Sequence, residues 1–96
     1  MQQILERLVA ANIQLLPLTQ IERHWVLERD GFISLVERTE QGGFGKIGAP
    51  GLLTDHGMAV LVNGAFVAKG LNLPATPDQV DSLRAFARDL EAALHS

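Results

Sequence analysis

Gly43, Gly45 and Gly48 spell G-x-G-x-x-G with Lys46 inside the pattern, and a short way along the chain Asp55 stands beside His56. Consecutive glycines let backbone N–H groups converge on an anion, and a lysine among them adds charge, which is how phosphate cradles are built. A carboxylate beside an imidazole is the raw material of acid–base chemistry. The familiar nucleotide motifs nevertheless fail on context. A dinucleotide fingerprint opens a helix whose N-terminus receives the pyrophosphate, whereas Pro50 and Gly51 follow here at once. The Walker pattern needs Ser or Thr where Ile47 stands, and the glycine loop of a kinase belongs to a domain several times larger than 96 residues. Thr54-Asp55-His56-Gly57 reads more simply as a turn, with Gly57 in the left-handed position before a strand. What survives is an anion-binding nest under the glycine-rich loop 42–51, with Gly43, Gly45, Lys46, Gly48, Asp55 and His56 as its candidate ligand-binding residues.

The remaining residues narrow the chemistry. The chain has no cysteine, so disulfides and thiolate catalysis are excluded and a reducing compartment is suited. His24, His56 and His95 are scattered without a short-spaced partner, which is not a metal-ligand pattern. Ser34, Thr39 and Thr54 lie in no nucleophile elbow. No catalytic residue, metal or cofactor is therefore expected, and catalysis is not the leading expectation. A formal charge of −3 with eight scattered basic residues gives no footprint for a phosphate backbone, so nucleic acid is not an expected partner. Glu6 and Arg7 interrupt the apolar run a leader peptide would need, and no stretch approaches the roughly 18 apolar residues of a membrane helix, so a cytoplasmic protein is expected. With 47% hydrophobic and 20% charged residues, the chain is of the globular class and reads as one domain over 1–96.

The elements that must position these residues follow from periodicity and turn signals. Ile4, Leu5, Leu8, Val9, Ala11, Leu15 and Leu16 recur at helical spacing and predict a first helix that stops before Pro17. At the other end, Thr76 stands at an N-cap, Pro77 at the first helical position, Asp78 in the first turn and Gln79 at the capping-box position. A second helix is predicted from Pro77 to Leu94, with Val80, Leu83, Ala87, Leu90 and Leu94 as its core stripe and Phe86 and Ala93 on the flank.

Two hairpins lie between the helices. Asn63-Gly64 favours a two-residue type I′ turn, which pairs Leu61 with Phe66 and Ala59 with Ala68 on one face, and Val62 with Ala65 and Val60 with Val67 on the other. Around Arg29-Asp30-Gly31 two registers compete. A two-residue turn sets Arg23 against Arg38, whereas a three-residue loop pairs Trp25 with Leu35, Leu27 with Ile33, Arg23 with Glu37 and Glu22 with Arg38. The second register avoids like charges and is the one expected. It turns Trp25, Leu27, Ile33 and Leu35 to the core, and Val26, Phe32 and Val36 to the opposite face.

The expected architecture is α+β, a four-stranded antiparallel sheet made of two β-hairpins and flanked by N-terminal and C-terminal helices, in the order α-ββ-ββ-α. Residues 40–57 then form one long connection. Arg29-Asp30-Gly31 between apolar strands, with helices at both ends, resembles the roadblock and profilin-like adaptor architecture. The central helix of those folds cannot form across Gly42 to Gly51, so no family follows. With both helices on one face, the other face of the sheet stays apolar and bare, and such a patch marks an interface. The leading expectation is a homodimeric interaction or regulatory module that associates through Val26, Phe32, Val60, Val62 and Val67. The competing expectation is an anionic-ligand binder or enzyme with its site under the loop 42–51.

Overall fold

The computed structural model describes residues 2–16 and 23–95. It is α+β, as expected, but the sheet has eight antiparallel strands rather than four. In chain order the elements are α1 (Gln2–Ala10), β1 (Gln14–Leu16), β2 (His24–Arg29), β3 (Phe32–Arg38), β4 (Phe44–Ile47), β5 (Gly51–Thr54), β6 (Gly57–Val62), β7 (Ala65–Ala68), β8 (Leu71–Pro74) and α2 (Pro77–His95). The strands meander in the order β1-β2-β3-β5-β6-β7-β8, with β4 also pairing with β3.

The four extra strands come from three local causes. The first helix ends six residues early in a Schellman cap. Asn12 takes φ 59°, its N–H donates to the Val9 carbonyl, and the Ile13 N–H donates to the Leu8 carbonyl at 2.8 Å. Leu8 and Ile13, brought together by that cap, are both buried, and residues 14–16 are released to pair with β2 as β1. The expected stop at Pro17, and the Ile21 and Glu22 portion of the first strand, lie outside the described residues.

The glycine-rich segment, expected to be a loop, is a single interrupted strand. β4 runs antiparallel to the C-terminal half of β3, with Ile47 opposite Val36, and β5 continues along the N-terminal half, with Leu52 opposite Phe32. Gly48-Ala49-Pro50 is the interruption, where Pro50 has no N–H to offer the ladder. At the far edge, Gly70 (φ 79°) turns the chain back from β7 so that Leu71–Pro74 pairs as β8. Pro74 is tolerated at the end of an edge strand.

The first hairpin adopts the register that charge pairing disfavours. Asp30 and Gly31 have φ 55° and 89°, a two-residue type I′ turn, and Trp25 stands opposite Val36 and Leu27 opposite Ser34. Two observations explain why the apparent penalties vanish. Arg23 has φ 63° and lies outside β2, and Arg38 places its guanidinium over the Trp25 ring, 5.4 Å from the centroid. Ser34 is fully buried on the core face, but its hydroxyl donates to the Gly48 carbonyl at 2.8 Å, so no polar group is stranded. The second hairpin forms as expected, with Asn63 and Gly64 at φ 50° and 81° and pairs Leu61–Phe66, Val62–Ala65 and Val60–Val67.

Both helices contribute to one core on one side of the sheet. Leu8 of α1 and Leu83, Phe86, Leu90, Ala93 and Leu94 of α2 join Leu27, Phe32, Val36, Ala59 and Phe66 from the strands. The buried stripe of α2 is turned toward Phe86, which is fully buried, while Ala87 is only half-buried. A phenyl ring has far more apolar surface to withdraw from water than a methyl group, so the ring takes the centre. The capping box of α2 forms reciprocally: the Gln79 N–H donates to Thr76 Oγ1 at 3.1 Å and the Thr76 N–H donates to Gln79 Oε1 at 2.9 Å.

Arg29 ties three elements together. Its Nη1 donates to Asp89 Oδ2 of α2 at 2.9 Å and to the Ala11 carbonyl beyond α1 at 3.1 Å, and its guanidinium lies 5.6 Å from the Phe86 ring centroid. The hydrogen bond from Arg29 holds the Asp89 carboxyl below its ordinary range, against partial desolvation and with help from the Arg29 and Arg88 charges. A depressed folded-state value means the stabilisation is present above the unfolded-state value and disappears as pH falls through the folded one. Asp89→Asn is therefore expected to lower stability at neutral pH, and urea midpoints of variant and wild type should converge in strong acid. Parallel midpoint curves between neutrality and pH ~2 would contradict this account.

Candidate functional site

Strand pairing defines the outer face, the side away from the helices. Working across the registers, this face presents Val26, Leu35 and Ile33 from β2 and β3, then Gly51, Leu53, Met58, Val60, Val62, Ala65, Val67, Asn72 and Pro74 from β5 to β8. No charged residue occurs among the β5 to β8 members, because the apolar residues alternate with the equally apolar core face. Three of the four exposed large hydrophobics of β5 to β8 lie here: Leu53 is 48% exposed, Val60 41% and Val62 47%, while Leu73 stands on the other face opposite Phe66. His24, Glu28 and Glu37 of β2 and β3 bound the face on one side.

The five residues assigned to this face from the sequence divide. Val60 and Val62 are exposed on it and Val67 is half-buried on it. Val26 is on it but already closed off, at 1% exposure, between its register neighbours Leu16 and Leu35. Phe32 is not on it. Phe32 stands opposite Leu52, is buried under the helices, and meets the Phe66 ring at a centroid distance of 6.3 Å. The one-residue difference in the first hairpin's register exchanged Phe32 and Val36 with Ile33 and Leu35 across the sheet, as the twofold period of a strand requires. Leu53 and Met58, absent from the expectation, join the face because β5 is a strand.

The proposed anion nest does not form. The Gly43 N–H donates to Thr39 Oγ1 at 2.9 Å and the Gly48 N–H donates to the Leu35 carbonyl at 2.9 Å, so these donors serve the sheet and its turn. Gly45 lies in β4 against Glu37, where an added Cβ would sit 3.2 Å from the Glu37 Cβ. Lys46 projects from β4 beside the C-terminal half of β3, whereas Asp55 and His56 occupy the β5–β6 turn at the other end of that strand. The six residues are thus not brought together. The turn is closed locally: the His56 N–H donates to Thr54 Oγ1 at 3.1 Å, the Thr54 hydroxyl donates to the Gly57 carbonyl at 2.7 Å, and Gly57 takes φ 93°. Among the described residues no three of His, Asp and Glu converge as a metal site, and no helix is long and apolar enough to cross a membrane.

A different polar site appears where sequence reasoning saw only strand ends. A cleft of about 750 Å³ is lined by Arg23, Trp25, Arg38, Thr39, Glu40 and Gly42. Two bonds build its floor: the Arg38 N–H donates to the Arg23 carbonyl at 2.8 Å, and Trp25 Nε1 donates to the Gly43 carbonyl at 2.9 Å. Phe44 supports the indole at a ring-centroid distance of 5.5 Å. The Arg23 and Arg38 pairing in the rejected register was the available signal, read as a cost rather than as a site. No protein-family model, curated protein or solved structure matches the chain.

Proposed function

We propose that this protein works by association with a second copy of itself, through the uncharged outer face of β5 to β8, as a cytoplasmic interaction or regulatory module rather than as an enzyme. The observation that carries the reading is the absence of any charge on that face, together with the exposure of Leu53, Val60 and Val62 within it. A soluble monomer rarely leaves such a patch bare. The shortest extent of the fold, 18 Å, matches the depth of one sheet and one helical layer, and among the described residues both helices lie on the opposite side of the sheet. An apolar centre with His24, Glu28 and Glu37 toward one margin also matches the core-and-rim pattern of interfaces. A self-complementary face without charge suits twofold pairing, in which each patch meets its own copy.

Val60→Glu tests the reading. Val60 is 41% exposed in the single chain, so the carboxylate can reach water and the fold should survive. At a dimer contact the same carboxylate is desolvated without a partner, which should weaken association by at least about a hundredfold. Sedimentation is expected to show a wild-type dimer at micromolar concentration and a monomeric or aggregated Val60→Glu variant with an unchanged far-ultraviolet spectrum. A wild type that sediments as a monomer at micromolar concentration overturns the proposal.

A further inference from the structure

The cleft beside Trp25 carries a second, independent inference. Arg23 and Arg38 are joined through their backbones by the 2.8 Å hydrogen bond, so two cationic side chains leave neighbouring points at the end of the sheet. Neither takes part in an ion pair among the described residues, in a chain whose formal charge is −3. Arg23 holds φ 63°, a left-handed conformation that is costly for a residue with a side chain and that fixes where its side chain starts. The Thr39 hydroxyl accepts from the Gly43 N–H and keeps its own proton to donate. Guanidinium groups bind carboxylate and phosphate oxygens through paired N–H bonds, and a volume of about 750 Å³ lies in the range of small-molecule sites.

We propose that the cleft between Arg23 and Arg38 binds a small organic anion, a carboxylate or a phosphate ester, whose oxygens the two guanidinium groups clamp and whose body packs against the Trp25 indole. Thr39 supplies a third donor. Glu40 on the rim opposes the anion and limits its charge, so the site favours a singly or doubly charged group over a polyanion. The proposed anion donors, Arg23, Arg38 and Thr39, lie outside the glycine-rich segment, although Gly42 lines the cleft and the Gly43 carbonyl holds the indole, and the outer sheet face plays no part.

Trp25 is the single tryptophan and the chain has no tyrosine, so intrinsic emission reports on the cleft directly. Wild-type protein titrated with phenyl phosphate and with benzoate should show a saturable emission change with at least one of them, and binding heat should give the same affinity. The better probe identifies the anion class. Inorganic phosphate, which has no body to lay on the indole, should bind about tenfold more weakly. Arg23→Gln leaves the Arg38–Trp25 contact in place and should weaken binding about tenfold or more, as should Arg38→Gln, with urea midpoints little changed because both side chains are exposed. Glu40→Gln should tighten it. The proposal is overturned if neither organic probe gives a saturable change, if sodium chloride at matched ionic strength reproduces it, if inorganic phosphate binds as well as the organic anions, or if both arginine variants keep wild-type affinity.

Discussion

Phe66→Ala is expected to lower the unfolding free energy by about 3–5 kcal/mol. Phe66 is fully buried in β7, the second strand of the Asn63-Gly64 hairpin, and belongs to the same cluster as Ala59, Phe86 and Leu90. Its ring lies 6.3 Å from that of Phe32, so removing it strips one aromatic partner and leaves a void under α2. Small domains have only about 5–15 kcal/mol in total, so the variant should be largely unfolded well below the wild-type melting temperature. Urea unfolding measures it directly. A loss below about 1 kcal/mol would mean that α2 does not pack on the sheet as described.

Gly51→Ala should cost about 2–3 kcal/mol for the addition of one methyl group, through crowding rather than loss of contact. A Cβ built at Gly51 would fall 2.5 Å from the Ala59 carbonyl oxygen and 2.9 Å from the Met58 Cε. Met58 can swing its thioether aside, but the carbonyl belongs to the β5–β6 ladder and can move only by parting the strands. The damage should therefore be local. Amide hydrogen exchange is expected to accelerate at Leu53 and across β6 before it does so in α2, and a variant as stable as the wild type would contradict the close approach of the two backbones.

The expected and observed structures agree where the signal is local and differ where it is not. Asn63-Gly64 states its own backbone conformation, and Thr76, Pro77 and Gln79 state where a helix begins, because each acts within four residues of itself. The Asn12 cap is equally local, but the apolar spacing of residues 4–16 continues through it into β1 and masks it. The glycine-rich strand was illegible for another reason. Glycines, Lys46 and Pro50 carry little strand preference, and β4 and β5 exist because β3 offers them an edge along its whole length.

The candidate site followed the same division. Val60, Val62 and Val67 could be placed on one face from alternation alone, and that uncharged ribbon was written in the sequence before any partner strand was known. Whether Phe32 belonged with them depended on a one-residue choice of register, and the sequence argued for the wrong one by counting charges as though Arg23 and Arg38 were opposed in a regular ladder. Side-chain charges near a strand end can leave the ladder at small cost, whereas a misplaced Phe32 or Val36 would lose its burial in the core, so packing outweighed pairing. By itself, then, the chain determined its α+β class, the Asn63-Gly64 type I′ turn, the place but not the type of the turn at Asp30-Gly31, its C-terminal helix and its uncharged hairpin, all of which act over a few bonds. Only the tertiary structure decided the sheet's extent, the facing of the first hairpin and the cleft of Arg23 and Arg38, because each depends on residues that distant parts of the chain bring alongside.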